Sequence, residues 1–148
     1  MNFEEKIIER LKRIEREVER LRVWERPAGG SGFGEWVTYT PTLVGWSSTT
    51  TLICKYLKMG KILFFSAIIS GTSNSTTTTF TLPETAILTE YSGAMGLCVN
   101  NGSELTVAAR YTIVQGSDIC KTYTNMAYGT WTASGTKRVS VYGWIATN

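Results

Sequence analysis

The chain has no histidine, and only three cysteines and three prolines among its 148 residues. The absence of histidine excludes Ser-His-Asp and Cys-His catalytic groups and every His-ligated metal site. No apolar run reaches about 18 residues, and the charged N-terminus has no apolar segment of the secretory type, so we expect neither membrane insertion nor a signal peptide. Cys54, Cys98 and Cys120 have no metal-ligand spacing. We expect free buried thiols, with one disulfide and one spare thiol as the alternative.

Charged residues are concentrated at the N-terminus. Residues 1–26 carry 8 basic and 7 acidic side chains, whereas all 22 threonines and all 12 serines follow Arg26. The net charge of the whole chain is only +3, so it lacks the basic excess typical of nucleic-acid-binding proteins. The break in composition predicts a helix at 1–26, a linker at 27–34 and a second domain at 35–148.

The first segment has the apolar spacing of a coiled coil. Residues 2–25 contain no Gly, Pro, Ser or Thr, and apolar residues recur at alternating intervals of four and three. Isoleucine at d positions and leucine at an a position favour more than two strands, and opposite charges at g and e favour parallel chains. We therefore expect a bundle of three or four helices, with a single helix packed on the second domain as the alternative. The predicted seam consists of Ile7, Leu11, Ile14, Val18 and Leu21.

The remainder of the chain has the composition of a linker followed by a β domain. Residues 27–34 contain four glycines and one proline, which is typical of a flexible linker. From Glu35 onward the sequence is rich in Thr, Val, Ile, Tyr and Trp, and Gly- or Asn-rich turns interrupt it. This pattern predicts a mainly β fold, an antiparallel β-sandwich or jelly roll. The predicted strands span roughly 36–42, 50–58, 61–70, 77–82, 94–100, 105–114, 118–124 and 137–146.

One predicted strand is apolar on both faces, and the last strand places aromatic residues on its outer face. The run 62–65 contains only Ile, Leu and Phe, and the last strand places Tyr142 and Trp144 on the face opposite Val139 and Val141. A strand of this kind is central in a sandwich, or its outer face packs against another subunit. The pattern therefore favours self-association of the β domain.

Carboxylates are sparse in the predicted β domain. A glycosidase needs two carboxyl groups on either side of the bond it cleaves. Most of the acids lie beside turn signals, so we interpret them as solvated loop residues and expect no catalytic site, no metal and no cofactor. We interpret Arg110 and Lys121 likewise as surface charges. The five acids are Glu35, Glu84, Glu90, Glu104 and Asp118.

Several motifs in residues 35–148 resemble a β domain of phage and prophage tail-fibre and related virion proteins. The aromatic-x-x-Tyr-Thr-Pro-Thr opening of that family is matched at 36–42, its Tyr-x-x-x-Gly-Lys turn at 56–61 and its Leu-Pro segment at 80–83. Its closing Gly-aromatic pair is matched at 143–144, and members often carry a coiled coil and a Gly-rich linker before the domain. The resemblance implies a homotrimer whose β domains pack around a three-fold axis, and it transfers no catalytic residue.

The resemblance also implies a virion protein, made in the host cytoplasm and located at the tail or capsid surface. We expect a non-enzymatic tail-fibre or spike tip that binds a receptor on the host surface. A glycan is the preferred receptor and a protein is the alternative. The three binding sites of the trimer would together bind with higher avidity than one site alone. Its other partners would be virion proteins, and we expect it not to bind nucleic acid. A capsid decoration or head fibre is the alternative, followed by a carbohydrate-active enzyme and a cellular trimeric adhesion domain. Candidate ligand contacts are the loop aromatics and amides Trp46, Tyr91, Asn100, Asn101, Tyr123, Asn125, Tyr128 and Trp131.

Overall fold

The computed structural model describes residues 9–10, 12–13, 15–16, 34–88 and 90–148. The chain divides into two compact units, Met1–Glu35 and Trp36–Asn148. Residues 9–10, 12–13 and 15–16 of the first unit have helical backbone conformation and exposed side chains. The predicted coiled coil stays a prediction, because its seam lies outside the described residues, as do residues 27–33 of the predicted linker. The seam residues concerned are Ile7, Leu11, Ile14, Val18 and Leu21.

The described part of the second unit contains eleven strands and is mainly β. The strands are β1 (Val37–Thr38), β2 (Leu43–Val44), β3 (Trp46–Met59), β4 (Ile62–Ser73), β5 (Thr78–Thr81), β6 (Glu90–Ala94), β7 (Val99–Asn100), β8 (Ser103–Glu104), β9 (Arg110–Val114), β10 (Ile119–Tyr123) and β11 (Thr136–Ala146).

The strands form two antiparallel sheets with a common apolar core. Sheet A has the order β1-β3-β4-β11-β7-β8, and sheet B has the order β2-β5-β10-β9-β6. Core residues come from both sheets; Phe65 of β4 meets Tyr111 of β9 edge to face, with 5.9 Å between ring centroids. Two sheets joined through such a core form a β-sandwich, which confirms the predicted fold at this level. The jelly-roll topology and the trimer stay predictions.

Strand β11 shows the alternation that its sequence predicts. Val139, Val141 and Ile145 are fully buried, whereas Tyr142 and Trp144 are about half exposed on the outer face. Side chains of successive strand residues point to opposite faces, so one set enters the core and the other lines the outside of sheet A. The exposed aromatic side chains therefore belong to an ordered strand at the centre of the sheet.

Glycine is required at two places in these long strands. Gly143 lies on the inner face of β11, where a Cβ atom would collide with the rings of Tyr111 and Phe65. Gly60 and Lys61 form the two-residue turn between β3 and β4, and Gly60 has φ of 60°. A positive φ at this position suits the turns that match strand twist, and glycine adopts it without strain.

The single strand predicted at 36–42 is wrong. β1 pairs with β3 in sheet A, β2 pairs with β5 in sheet B, and Pro41 lies between them. Proline has no N–H to donate and a fixed φ, so the chain leaves one sheet here and joins the other.

The strands predicted at 94–100 and 105–114 are too long. Within 94–100, only Ala94, the last residue of β6, and the two residues of β7 have strand conformation. Within 105–114, the strand begins only at Arg110. The prediction missed most of β6, whose sequence Glu-Tyr-Ser-Gly-Ala contains no β-branched residue.

The turns of the sandwich gather at two opposite ends. At the loop end, the Thr76 carbonyl accepts a hydrogen bond from the Trp131 N–H at 3.2 Å, and the Asn74 N–H donates to Gly45 at 3.4 Å. At the turn end, the Gly60–Lys61 turn meets the C-terminus of β11. β1 pairs with Lys55 and Tyr56, close to the turn end of β3. The second unit therefore begins nearer the turn end than the loop end.

The three cysteines are free and buried, as expected from their spacing. Burial raises the pKa of Cys54 to about 11 and also raises the pKa values of Cys98 and Cys120. These thiols stay protonated at neutral pH and act as small apolar core residues. Among the described residues, no helix is both long enough and apolar enough to cross a membrane.

Candidate functional site

Three of the eight predicted ligand contacts come together on the outer face of sheet B, at its loop end. Tyr123 is the last residue of β10, and residues 124–130 after it form a compact segment that we call the tyrosine loop. Its Tyr128 ring stands edge to face against the Tyr123 ring, with centroids 5.0 Å apart and planes at 89°. Asn125 lies in the same loop.

Asn125 fixes the shape of the tyrosine loop. Its Oδ1 accepts hydrogen bonds from the N–H groups of Ala127 and Gly129, both at 2.9 Å. The Thr124 N–H donates to the Gly129 carbonyl at 2.8 Å and closes the loop. A Cβ atom at Gly129 would collide with the Asn125 side chain, so the loop depends on glycine here. The amide predicted as a ligand contact is thus already engaged in positioning its neighbours.

Tyr128 has an unfavourable backbone conformation. Its φ is 62°, a left-handed value that bulky residues rarely adopt. The side chain is about half exposed. Such strain persists only where the surrounding contacts determine it, and it is concentrated at binding sites and switches. Tyr128 therefore marks the loop as a candidate functional site.

Arg110 joins the two tyrosines from the neighbouring strand. It lies directly opposite Tyr123 in the β9–β10 pair, and its Cζ is 4.4 Å from the centroid of the Tyr128 ring. One terminal nitrogen approaches the Met126 carbonyl at 3.5 Å, and the other lies 3.7 Å from Oε1 of Glu90. Arg110 is half-buried within a cluster rather than a simple surface charge, so the sequence interpretation of this residue is wrong.

Lys121 completes the group. It is exposed, two residues before Tyr123 on the same face of β10, and its Nζ lies 5.4 Å from the centroid of the Tyr123 ring. We call Tyr123, Tyr128, Arg110 and Lys121 the tyrosine cluster. One feature of the sequence could have indicated that Arg110 and Lys121 belong to the site: both lie in predicted strands close to aromatic residues.

Of the other predicted contacts, the two asparagines lie in or beside a turn within sheet A. Asn100 ends β7, and its Oδ1 accepts hydrogen bonds from the N–H and the hydroxyl of Thr132, at 3.0 and 2.9 Å. Asn101 and Gly102 form the β7–β8 turn with φ of 50° and 81°. Both positive values are those of the Asn-Gly hairpin turn that the sequence indicates.

Two of the remaining aromatic candidates are buried in the sandwich. Trp131 is 2% exposed, and its Nε1 donates to the Thr122 carbonyl at 3.0 Å. Tyr91 is buried in β6, and its hydroxyl oxygen accepts a 2.6 Å hydrogen bond from the Ala146 N–H. These side chains are held within the fold and are not members of the pair formed by Tyr123 and Tyr128.

A buried lysine ties the segments of the loop end together. Lys137 is 1% exposed. Its Nζ donates to Oγ1 of Thr78 at 2.6 Å, to the Gly45 carbonyl at 3.0 Å and, more weakly, to the Ser75 carbonyl at 3.4 Å. Gly45 precedes β3, Ser75 precedes β5 and Thr78 is the first residue of β5, so one ammonium group joins these segments to β11.

The last aromatic candidate, Trp46, flanks this lysine. Its ring centroid lies 5.2 Å from Nζ of Lys137, and the Trp131 centroid lies 5.5 Å away on another side. Two indole rings and three oxygen atoms thus solvate the buried charge. Burial lowers the pKa of Lys137 to about 8. We interpret this group as the framework that positions the loop end.

A second surface stands out on the opposite side of the sandwich. Leu57, Phe64 and Trp144 are register partners across β3, β4 and β11, and Ile53 lies beside Ile68 in the same way. We call the outer side of these three strands the apolar face. Its charged side chains within the three strands are Lys55 and Arg138. Its apolar members are Ile53, Leu57, Met59, Ile62, Phe64, Ile68, Tyr142 and Trp144.

The acids of the β domain lie on different elements. Glu84 binds Lys58 at the turn end, with Nζ 2.7 Å from both carboxylate oxygens, and this contact lowers the pKa of Glu84. Glu90 lies beside the tyrosine cluster, and Glu104 is an exposed residue of β8. Among the described residues, no three His, Cys, Asp or Glu side chains are grouped as a metal site would require.

No protein-family model, curated protein or solved structure matches this chain. The function is therefore argued from the two surfaces, the tyrosine cluster and the apolar face.

Proposed function

We propose that the chain is a non-enzymatic homotrimeric appendage of a phage virion, a tail-fibre or spike tip that binds a receptor on the host surface. The observation that carries this proposal is the contrast between the two outer faces of one sandwich. The outside of sheet A carries the apolar face, and the outside of sheet B bears the tyrosine cluster. A trimeric adhesin needs one face for its own copies and another for the receptor.

The apolar face supports self-association. Large apolar side chains here form rows across neighbouring strands, and Tyr142 and Trp144 are about half exposed. A contiguous apolar surface of this kind marks an interaction site in a soluble protein. The predicted coiled coil would bring parallel copies of the β domain to a high effective concentration, at which modest contacts between their apolar faces suffice.

The tyrosine cluster supports receptor binding. Aromatic faces stack on sugar rings, and cationic or amide groups nearby hydrogen-bond to sugar hydroxyls. The strained Tyr128 is positioned for such contact by Asn125 and Arg110. Three copies of the site in one trimer would raise the avidity without additional contacts.

The proposed site of action is a virion, at the tail or capsid surface, after synthesis in the host cytoplasm, and the resemblance of residues 36–42, 56–61 and 80–83 to tail-fibre domains supports this. Its further partners would be other virion proteins. A capsid decoration would use the same apolar face but would need no strained aromatic loop. Tyr128 therefore favours the receptor-binding form of the proposal.

Binding of the labelled full chain to a panel of bacterial cells tests this function. We expect the unmodified chain to bind some strains and Tyr128→Ser to lose most of that binding. Leu88→Ser is the control, because Leu88 is also about half exposed but lies at the turn end. Absence of binding to any strain, combined with binding to phage capsids, would favour the decoration instead.

A further inference from the structure

The charges around the tyrosine cluster indicate what kind of receptor it accepts. We infer that the bound group is an anionic sugar, a hydroxylated ring that carries a carboxylate or a phosphate. This inference rests on the proposed receptor binding and adds the chemical class of the ligand. It is argued from the state of Arg110, the place of Lys121 and the role of Glu90.

Arg110 is positioned but incompletely bonded. Its guanidinium lies over the Tyr128 ring, and Nε is buried without a hydrogen-bond partner. The contact with the Met126 carbonyl is 3.5 Å, and the approach to Glu90 is 3.7 Å, too long for a hydrogen bond. An arginine offers five N–H donors in a planar fork that matches carboxylate and phosphate oxygens. Stacking on Tyr128 thus holds in place a guanidinium that still has donors to satisfy.

Lys121 adds a second positive charge, with its Nζ 5.4 Å from the centroid of the Tyr123 ring. It is exposed, and it forms no ion pair with any carboxylate of the described residues. Tyr123 lies directly opposite Arg110 and two residues from Lys121, so the two cations border the same ring. A ring stacked on Tyr123 would have its substituents within reach of one cation or the other.

In the described part of the chain, Glu90 is the acidic residue whose carboxylate lies within 4 Å of a cation of the tyrosine cluster, namely Arg110. Its side chain is half exposed and held only by the long approach to Arg110. A ligand anion would take its place beside the guanidinium, so Glu90 acts as an internal competitor. A neutral sugar would leave Glu90 beside Arg110 and could accept hydrogen bonds from Lys121, but it would gain no attraction between opposite charges. Glu90 therefore weakens anion binding, whereas Arg110 and Lys121 favour it, and two cations against one carboxylate leave the cluster with a net positive charge that favours an anion over an uncharged ring.

The test is a titration of the full chain with two matched pairs of probes. Binding is measured by ligand-observed NMR, which detects millimolar affinities. Trigalacturonic acid is compared with its methyl ester, and phosphorylated maltotriose with maltotriose. Each pair keeps the ring and removes the charge. We expect at least one acid to bind about tenfold more tightly than its neutral counterpart, the scale of one charge-assisted hydrogen bond. The pair that shows the difference distinguishes carboxylate from phosphate.

Four single substitutions then assign the effect to the cluster. We expect Arg110→Gln to weaken binding of the acid about tenfold and Lys121→Gln about threefold, since Lys121 is exposed. Glu90→Gln should strengthen it, because the competitor is removed. Lys61→Gln removes the same charge from the turn end and should leave binding unchanged. Lys121 and Glu90 are exposed, so their variants fold even if the half-buried Arg110 cannot be replaced.

Equal binding of the acid and neutral probes, no detectable binding of either acid, or an equal loss in the Lys61 and Lys121 variants would overturn the inference. Cell binding that depends on Tyr128 but not on Arg110, Lys121 or Glu90 would also overturn it, while the proposed function would stand. Failure of the full chain to bind any cell would remove the proposed function itself.

Discussion

Phe64 of β4 and Trp144 of β11 are register partners, and both project from the outer side of sheet A. Leu57 of β3 continues the same row on the other side of Phe64. Solvated antiparallel sheets commonly alternate apolar and polar residues so that one face is polar. Here the outer side of the central strands of sheet A also carries large apolar residues, with Lys55, Ser66 and Ser140 between them. These outward apolar side chains are the physical basis for expecting a second copy against them.

Placing a charge on the apolar face should weaken the association of β domains. We predict that Ile53→Lys and Tyr142→Lys each lower the midpoint of thermal unfolding of the full chain, because each would bury a charge at the interface and lose about 1–2 kcal/mol of apolar burial. Val114→Lys, at a residue equally exposed on sheet B, is the control. Equal small effects at all three positions would show that the apolar face is solvated.

Charge in the predicted seam should separate the copies. We predict that Leu11→Asp and Ile14→Asp each convert the full chain to a monomer, because a carboxylate buried between helices loses its hydration. Arg16→Asp is the control, since Arg16 falls at an outward heptad position and is exposed. Sedimentation velocity measures the outcome. Unchanged assembly in all three variants would contradict the coiled-coil prediction.

Asn125 should control the order of the tyrosine loop through its side-chain oxygen. We predict that Asn125→Ala accelerates hydrogen exchange at the Ala127 and Gly129 amides by about fivefold, since each loses a hydrogen bond worth about 1 kcal/mol. Asn125→Asp keeps the acceptor oxygen and should retain protection. Equal exchange in both variants would mean that the backbone alone fixes the loop.

Lys137 should give the fold a specific dependence on pH. Its pKa is about 8 when folded and near 10.5 when unfolded, so above pH 8 the unfolded chain binds more protons and stability rises with pH. From pH 7 to 9 this group should add about 1 kcal/mol to the free energy of unfolding. Cys54 has a raised pKa and acts in the opposite direction at higher pH.

Urea unfolding of the unmodified chain and of Lys137→Met, at pH 7 and pH 9, isolates that contribution. We expect the difference in free energy of unfolding between the two proteins to shift by about 1 kcal/mol in favour of the unmodified chain at the higher pH. Parallel pH dependences would show that Lys137 keeps an ordinary pKa in the fold.

Sequence reasoning predicted those parts of the fold that depend on local pattern. The alternation in β11 followed from Val139, Val141 and Ile145, and the β7–β8 turn followed from the Asn101–Gly102 pair, because strand period and turn geometry are properties of a few adjacent residues. The division of 36–42 between two sheets did not follow, since it depends on which distant strands pair with β1 and β2.

The candidate site was predicted only in part, for the same reason. Tyr123, Asn125 and Tyr128 are neighbours in the sequence, and their grouping in a loop was predictable. Arg110 joins them through the β9–β10 register, which no local pattern specifies. Trp131 was misleading, because an aromatic residue between turn signals has the same sequence signature whether it is exposed or lies in the core.

The proposed assembly is a trimer in which the apolar faces are covered. Light scattering of the full chain at several concentrations measures its mass. We expect a mass near three times 16.4 kDa that persists on dilution. A mass of one chain at every concentration would contradict it.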